Sequence, residues 1–226
     1  MGAEQFPILG VNLGRLGFLA DLSPAECCTE FCKILRREYE IVEHLMFECL
    51  LERRGGPTRR FLGLNEVVVS NASLHMIDIH LAIDGEPVTT YSGDGLIIST
   101  PVGSTAHSMS AGGPILRQDL QAFVVTPICP HTLTVRPLVD RAECTYTLSV
   151  AELPDGVKLV IDGQENETLR SGDLITVKRA PVSFKLAKIA GHGFYSTLHR
   201  KLGWGGQPRY RTSELPGDTP TDEPVS

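Results

Sequence analysis

The sequence lacks both a long apolar run and an excess of basic charge. A membrane-spanning helix needs about 20 consecutive apolar residues, and no such run is present. Lysine and arginine total 21 against 27 aspartates and glutamates, a formal net charge of −6, which does not provide the basic surface that nucleic-acid binding requires. The N-terminus also lacks the charged and apolar regions of a secretory signal peptide. We therefore expect a cytoplasmic protein without membrane or nucleic-acid partners.

The sequence also lacks the cysteine spacing of a metal site. The six cysteines form no Cys-x-x-Cys pair of the kind found in zinc ribbons. Cys28 and Cys32 are four residues apart, which fits one face of a helix. We expect no metal ligands in this chain, and we expect free thiols that are buried or half-buried at Cys27, Cys28, Cys32, Cys49, Cys129 and Cys144.

The sequence is rich in short apolar segments that are separated by turn residues. Gly55-Gly56-Pro57 and Asp84-Gly85 are typical of tight turns between antiparallel strands. This spacing predicts a mainly β (α+β) fold, a two-layer β-sandwich-like domain with a few peripheral helices. Strands are predicted at residues 39–51, 61–69, 76–83, 95–99, 122–126, 145–150, 157–161, 174–178 and 182–189. The arginine pairs at 53–54 and 59–60 flank the first turn, so we expect them to be solvated.

Helices are predicted near the two ends of the chain. Ser23-Pro24 followed by Glu26 is a helix-start signal, and the apolar residues at 25, 28, 31, 32 and 35 predict a face that packs on the sheet. A second short helix is predicted at 194–202. From residue 207 the chain is polar and rich in proline, so we expect one domain over residues 1–204 and a disordered tail over 205–226.

Residues 94–114, DGLIISTPVGSTAHSMSAGGP, form the most informative segment. Asp94 precedes a short apolar strand, and a hydroxyl-rich corner then opens a helix of small residues that ends at Gly112-Gly113-Pro114. Ser104 or Thr105 can cap the helix start, where free amide N–H groups favour an anion or a polar ligand edge. An ordinary strand–loop–helix corner fits this local pattern equally well.

Asn65-Glu66 is a second candidate site, because two polar residues interrupt an apolar strand pattern. Consecutive strand residues point to opposite faces, so both reach one ligand only near a strand end or a bulge. A carboxylate accepts hydrogen bonds from ribose hydroxyls, and an Asn amide offers a donor and an acceptor to an adenine edge. From these residues alone, a solvent-facing Glu beside a turn-forming Asn is the simpler interpretation.

Residues 94–114 resemble the long signature of the NAD kinase family, D-G-x-x-x-S-T-P-x-G-S-T-A-Y-x-x-S-A-G-G-P. One defined position departs, since His107 stands where most relatives carry Tyr. Four further blocks occur in the family's order, and the resemblance covers the chain from about Ile8 to Trp204. These blocks are GVNLGRLGFL at 10–19, LNEV at 64–67, PICPHTL with RPL at 127–133 and 136–138, and FYSTLHRKLGW at 194–204.

The resemblance implies the fold of the NAD kinase C-terminal domain and a set of NAD contacts. Asp94 would lie on the nicotinamide-riboside side, and Phe18 would wall the pocket. The implied adenosine contacts are Asn65, Glu66, Thr105, Ala106 and Ser110, with His107 alongside.

Relatives carry a catalytic Asp in a Gly-Gly-Asp-Gly loop of an upstream α/β domain, whose glycines admit the phosphates of ATP. Only nine residues precede Gly10 here. The resemblance therefore implies a substrate-binding part that contains no catalytic residue of its own. The similar string Ser-Gly-Asp-Gly at residues 92–95 is not this loop. Its Asp94 corresponds to a separate family aspartate that faces the substrate.

The implied reaction is transfer of the γ-phosphoryl group of ATP to the 2′-hydroxyl of the adenosine ribose of NAD, giving NADP, with Mg²⁺ or another divalent cation. Relatives assemble through this domain, which implies a homodimer or homotetramer. We expect binding of NAD or NADP and weak or no kinase activity by this chain alone. The alternative is a non-catalytic NAD(P)-binding or assembly module. A lipid or sphingoid kinase is a third interpretation, which the full signature disfavours.

Two further motifs have simpler structural interpretations. Asp162-Gly163-Gln164 matches a family segment, but an Asp-Gly pair between strands predicts a hairpin turn. His131 follows a Cys-Pro pair, and no Ser or Cys nucleophile pattern accompanies it, which favours a structural histidine over a catalytic imidazole.

Overall fold

The computed structural model describes residues 4–13, 18–20, 22–71, 75–189 and 194–202, with the side chains of Ser196 and Arg200 excepted. The expected tail at 205–226 lies outside these residues. The strands are β1 (Tyr39–Glu52), β2 (Arg59–Gly63), β3 (Glu66–Asn71), β4 (Ile77–Ile83), β5 (Glu86–Gly93), β6 (Gly95–Ser99), β7 (Ala122–Ile128), β8 (Leu138–Arg141), β9 (Tyr146–Val150), β10 (Val157–Ile161), β11 (Glu165–Thr168) and β12 (Leu174–Ile189). The helices are α1 (Pro24–Leu35), α2 (His107–Ser110) and α3 (Phe194–Leu202).

Two six-stranded antiparallel sheets pack face to face, so the predicted two-layer, mainly β fold is confirmed. Sheet I has the order β2-β1-β12-β9-β4-β5, and sheet II has the order β11-β10-β3-β6-β7-β8. Alternate residues of both sheets point inward and form one core, in which Phe47 and Tyr146 of sheet I meet Phe123 of sheet II. The Phe123 and Tyr146 rings pack edge to face, with 5.5 Å between their centroids.

Sheet II is buried on its second face as well. Val68, Ile97 and Val124 alternate with the core residues and point away from sheet I, yet they are 5%, 0% and 0% exposed. The chain between β6 and β7 covers this face, and its Ser108 hydroxyl hydrogen-bonds the Thr126 hydroxyl of β7 at 2.8 Å. The signature segment is therefore packed against the middle of a buried sheet.

The strand boundaries differ from the prediction at two places. The expected strand at 61–69 is wrong as a single element, because β2 pairs in sheet I and β3 in sheet II, and the chain crosses between the sheets at residues 64–65. Conversely, the two strands predicted at 174–178 and 182–189 form one strand, β12. A β-bulge opposite Met46 accommodates Pro181, so the strand continues past the proline. The prediction missed the short strands β5, β8 and β11.

Helix α1 begins as predicted but presents a different face. Ser23 and Glu26 form a complete capping box, with the Ser23 Oγ accepting from the Glu26 N–H at 3.2 Å and the Glu26 carboxylate accepting from the Ser23 N–H at 2.8 Å. The predicted packing face is wrong, since Phe31 is 52% and Leu35 69% exposed. The period of a helix reveals an apolar stripe, but it does not reveal which surface covers the stripe.

The expectations for the cysteines and arginines are also corrected. All six cysteines are free, but Cys28, Cys32 and Cys129 are exposed, because they lie on an uncovered helix face or in a loop. The arginines near the first turn are not simply solvated, because the carboxylates of neighbouring strands lie within reach. Arg53 pairs with Glu167 and Asp173, Arg59 with Glu167, and Arg60 with Glu48.

Candidate dinucleotide-binding site

The two candidate segments meet at one corner of sheet II. The Asn65 carbonyl accepts a hydrogen bond from the Thr100 N–H at 2.9 Å, and the Thr100 hydroxyl donates to the Leu64 carbonyl at 2.5 Å. A Cβ at Gly103 would overlap the backbone of Asn65, so only glycine permits this close approach. Thr105 and Ala106 follow Gly103 by two and three residues, so they lie close in the chain to the contact with Asn65.

The hydroxyls of the corner do not cap a helix, so that prediction is wrong. The Ser104 hydroxyl donates to the Pro101 carbonyl at 2.6 Å and accepts from the Leu116 N–H at 3.0 Å, while the Thr105 hydroxyl donates to the Val102 carbonyl at 3.0 Å. Residues 103–105 form a 3-10 turn, and α2 is only four residues long. Ser104 and Thr105 lie inside this turn and not before a helix, so their hydroxyls donate back to carbonyls three residues earlier in the chain.

Helix α2 is anchored on one side and exposed on the other. Ser108 is fully buried against β7, and a Cβ at Gly113 would overlap the Ser108 hydroxyl. His107 and Ser110, three residues apart, are both exposed. Helix α2 ends at Ser110, and Gly112 lies two residues beyond it with a φ of 86°, a conformation that favours glycine and that agrees with the helix end predicted from the sequence.

Glu66 is the titratable group with the most unusual environment at this corner. It is 8% exposed, and its Oε2 atom has no hydrogen-bond partner among the described residues. Burial, and secondarily the negative charge of Asp162, raises the pKa of Glu66 to about 7. The side chain therefore changes charge near neutral pH.

Asp162, for which the Asp-Gly pair predicts only a hairpin turn, also belongs to this corner. The turn is present, since Asp162 and Gly163 have φ values of 49° and 69°. The Asp162 carboxylate, however, also accepts hydrogen bonds from the three successive N–H groups of residues 64–66. The resemblance of this Asp-Gly pair to a family segment was the signal that could have identified it.

Asp94 lies at the other end of β6. Its carbonyl accepts from the Asn71 N–H at 3.1 Å, whereas Thr100 pairs with Asn65. Six residues of extended strand, at about 3.4 Å each, put roughly 20 Å between Asp94 and the Asn65 corner. A hydrogen bond with the Asp94 carboxylate raises the pKa of the exposed Cys129 thiol. One copy of the chain therefore does not bring Asp94 together with Asn65.

Phe18 lies away from both the Asn65 corner and Asp94, beside helix α3. The Lys201 ammonium is 4.2 Å from the centroid of the Phe18 ring, and the Gln118 amide donates to the Phe18 carbonyl at 3.1 Å. Burial lowers the pKa of Lys201. His131 is exposed, and its backbone N–H donates to the Ser92 carbonyl at 2.9 Å.

The part of the chain that the structure describes does not offer a protein cage for a cation. It contains no cluster of three or more His, Cys, Asp or Glu side chains. The carboxylates of Glu66 and Asp94 are separated by the length of β6, so they do not fit a shared Mg²⁺. No helix within the described ranges is long and apolar enough to cross a membrane.

The corner offers hydrogen-bonding groups but no nucleophile paired with a base. Asn65 and Thr105 are half-buried, Glu66 is buried, and all three lie where β3 begins and β6 ends. A buried carboxylate acceptor next to an amide suits a ligand that carries hydroxyls and a polar ring edge, as a nucleoside does. The described residues thus favour binding and orientation over covalent catalysis.

Comparisons with known proteins show the family of the chain. Residues 64–189 match the family model described as the ATP-NAD kinase C-terminal domain. An NAD kinase from Rhodopirellula baltica is 48% identical over 208 residues, which are 92% of this chain and 67% of the relative. An NAD kinase from Geotalea daltonii is 40% identical over 206 residues, which are 91% of this chain and 72% of the relative.

Solved structures give the same result for the fold. A yeast NADH kinase complexed with NADH superposes with a TM-score of 0.84 at 28% identity, over 90% of this chain and 60% of that one. An NAD kinase from Archaeoglobus fulgidus in complex with ATP superposes with a TM-score of 0.72 at 27% identity, over 89% of this chain and 74% of that one. The fold and the corner define a C-terminal domain of the ATP-NAD kinase type. This chain belongs to the NAD kinase family.

Proposed function

We propose that this chain binds NAD or NADP through the corner formed by Asn65, Glu66, Thr105 and Ala106, as the substrate-binding part of an NAD kinase. The observation that carries the proposal is the close approach of Gly103 to the Asn65 backbone, which brings the two candidate segments together. His107 and Ser110 lie on the exposed side of α2 next to this corner and extend the proposed adenosine contacts. Phe18 and Asp94 remain further proposed contacts.

The chemistry of the corner supports a nucleoside as the bound group. Glu66 carries a buried carboxylate oxygen without a partner, and such an atom gains a hydrogen bond when a ribose hydroxyl donates to it. The half-buried amide of Asn65 can both donate to and accept from an adenine edge. The NADH bound by the yeast relative supports a dinucleotide that contains both groups.

We propose weak or no phosphoryl transfer by this chain alone. The chain spans 60% of the yeast NADH kinase and about two thirds of the Rhodopirellula relative, and its sequence contains no Gly-Gly-Asp-Gly string. ATP is the proposed donor, because the Archaeoglobus relative was solved with ATP. A divalent cation would accompany ATP and neutralise charge on its phosphates, and we assign no residue of this chain to hold it.

A homodimer or homotetramer is the proposed assembly, and the position of Asp94 favours it. Because Asp94 lies roughly 20 Å from the Asn65 corner, its role as a dinucleotide contact is compatible with a site that a second copy completes. A site that forms only between two copies would also suit the alternative function, a non-catalytic NAD(P)-binding or assembly module. A cytoplasmic location is proposed because all six cysteines are free, as in a reducing compartment.

The test is calorimetric titration of the purified chain with NAD and with NADP, followed by an assay for NADP formation with NAD, ATP and Mg²⁺ on the same sample. We expect binding that Asn65→Ala abolishes and that Asn166→Ala, at an exposed position of edge strand β11, leaves unchanged. Absence of binding to both dinucleotides would contradict the proposed site. Turnover equal to that of an intact relative would contradict the proposal of weak transfer.

A further inference from the structure

The β10–β11 turn has more hydrogen bonds than a hairpin needs. The Asp162-Gly163 turn is closed by its own bond, from the Gln164 N–H to the Ile161 carbonyl at 2.9 Å. Both turn residues have positive φ, which the Asp-Gly pair accommodates without any help from the carboxylate. The Asp162 side chain is therefore available for another role.

That side chain binds the backbone of the candidate site. Oδ2 accepts from the Leu64 N–H at 2.7 Å, and Oδ1 accepts from the Asn65 and Glu66 N–H groups at 2.8 and 3.0 Å. The Asp162 N–H also donates to the Glu66 carbonyl at 3.0 Å. A carboxylate that accepts three amide donors fixes the backbone it binds.

The same chain provides an internal comparison in Asp84. Asp84 and Gly85 form a turn with φ values of 50° and 83°, nearly those of Asp162 and Gly163. The Asp84 carboxylate accepts from one backbone group, the Thr145 N–H, at 2.8 Å. Two turns of the same sequence and shape thus differ in what the carboxylate holds, and only Asp162 holds the segment that carries Asn65 and Glu66.

The Asn65 peptide is held from both sides. Asp162 binds its N–H, while Thr100 binds its carbonyl and Gly103 packs against its backbone. This arrangement removes the backbone freedom that a ligand would otherwise have to restrict on binding. The Asn65 and Glu66 side chains are therefore oriented before a ligand arrives.

Asp162 also brings a negative charge close to Glu66. Among the neighbouring elements, β6 presents the uncharged Ser99 opposite Glu66, and residues 100–105 contain no titratable side chain. Asp162 is thus the charged group from the packed elements that acts on Glu66. Its charge opposes the ionisation of Glu66, and an ionised Glu66 is the better acceptor for a ribose hydroxyl.

We propose that Asp162 is a positioning residue, which fixes the backbone that presents Asn65 and Glu66 and makes dinucleotide affinity depend on pH near neutrality. The proposal rests on the proposed function of Asn65 and Glu66 as nucleoside contacts. Asp162 itself touches the protein backbone and acts through Glu66.

The experiment compares Asp162→Asn with Asp84→Asn as the matched control. Asn tolerates the positive φ of both turns but has one acceptor oxygen, so in Asp162→Asn at least one of the three N–H groups loses its partner. The Kd for NAD is measured by calorimetry from pH 5.5 to pH 8.5, and thermal unfolding is recorded for each variant.

In the parent chain, NAD affinity should rise with pH about a midpoint near 7, the pKa of Glu66. Asp162→Asn should weaken NAD binding about tenfold or more. It should also move the midpoint to lower pH, because the opposing charge is gone. Asp84→Asn should leave both quantities unchanged. An unchanged midpoint in a folded Asp162→Asn variant overturns the proposal, whether or not affinity falls.

If Asp162→Asn does not fold, the carboxyl ¹³C NMR signal of Glu66 in the parent chain decides the question, with Glu66→Gln used for assignment. Titration of Glu66 near 7 supports the proposal, and titration of Glu66 near its ordinary value overturns it. This readout needs no ligand. Failure of the parent to bind NAD or NADP would contradict the proposed function. The NMR titration tests the effect of Asp162 on Glu66 independently of that result, because it is measured without ligand.

Discussion

Glu66 and Ser99 lie opposite each other in the antiparallel pair of β3 and β6, and each has a buried side-chain oxygen without a hydrogen-bond partner among the described residues. Directly opposed residues in antiparallel strands point to the same face of the sheet. Native proteins leave few buried polar atoms unpaired, and those that remain often mark functional sites. This pair lies on the face of sheet II that the signature segment covers, at the corner proposed for the ligand.

The first prediction concerns stability and pH. The folded-state pKa of Glu66 is raised from 4.5 to about 7, so the folded state binds its proton more tightly than the unfolded state does. The resulting stability is present below pH 4.5 and is lost as pH rises to 7, by up to about 3 kcal/mol. Glu66→Gln should remove this pH dependence of the free energy of unfolding, measured by urea denaturation at pH 5 and pH 8. Glu86→Gln, on exposed β5, should retain it, and equal slopes in both variants would refute the assignment.

The second prediction concerns the close approach at the corner. A methyl group at Gly103 would overlap the Asn65 backbone, so Gly103→Ala should lower the free energy of unfolding by about 2 kcal/mol or more, through displacement of the corner. NAD binding should be lost with it. Gly56→Ala is the control, since its Cβ would meet only atoms of Arg53, at 3.4 Å and beyond. Thermal melts in which both variants match the parent would show that the corner is not tightly packed.

The third prediction concerns His107, which stands where the family signature has Tyr. A tyrosine offers a larger ring for stacking beside a bound nucleoside, and such contacts contribute about 0.5–1.5 kcal/mol. His107→Tyr should therefore strengthen NAD binding about three- to tenfold, as measured by calorimetry. His80→Tyr, at an exposed position of β4 in sheet I, should have no effect. A weaker affinity in His107→Tyr would place the ring away from the ligand.

The fourth prediction concerns a site shared between two copies. If Asp94 of one copy completes the corner of another, then Asn65→Ala and Asp94→Ala variants, each unable to bind NAD alone, should complement each other. After unfolding and refolding together in equal amounts, a random dimer population should contain about one quarter intact sites. Calorimetric stoichiometry measures this fraction. Recovery of no sites, from chains that do form mixed dimers, would contradict a site shared between two copies.

The fifth prediction concerns the contact between Asp94 and Cys129. The Asp94 carboxylate raises the pKa of the Cys129 thiol, so less of the reactive thiolate is present at a given pH. Asp94→Asn should accelerate alkylation of Cys129 by iodoacetamide at pH 7.5, with peptide mass spectrometry as the readout. Exposed Cys28 on α1 reports any general change in reactivity and should be unaffected. An unchanged rate at Cys129 would contradict the contact.

The sequence predicted the fold class because turn residues and apolar alternation are local signals. Asp84-Gly85 and Gly55-Gly56-Pro57 do connect strands, and the capping box of Ser23 and Glu26 starts α1. The same local signals failed at residues 61–69, where one apolar run supplies strands to two sheets. The crossing at Leu64-Asn65 is fixed by the carboxylate of Asp162, about 100 residues away, and no local pattern contains that contact.

At the candidate site, too, the sequence predicted some features and not others. The signature resemblance implied that Thr105, Ala106 and Asn65 share one site, and the structure brings Thr100 and Gly103 of the signature segment against the Asn65 backbone. The hydroxyl caps expected at Ser104 and Thr105 are absent, because both residues lie inside a 3-10 turn and not at the start of a helix. The unusual pKa of Glu66 was not foreseeable, since it depends on burial and on a charge from a distant turn.

By itself, the sequence determined the class of fold, the family and the positions of its turns, because strand alternation, turn chemistry and the ordered signature blocks are written in neighbouring residues. Only the tertiary structure decided that Asp162 holds Asn65 and Glu66, that Asn65 meets Thr100 and Gly103 beyond the end of β6, and that α1 exposes its apolar stripe. These features depend on which elements meet across the two sheets. Such long-range contacts arise from packing the whole chain, so residue order along a segment does not specify them.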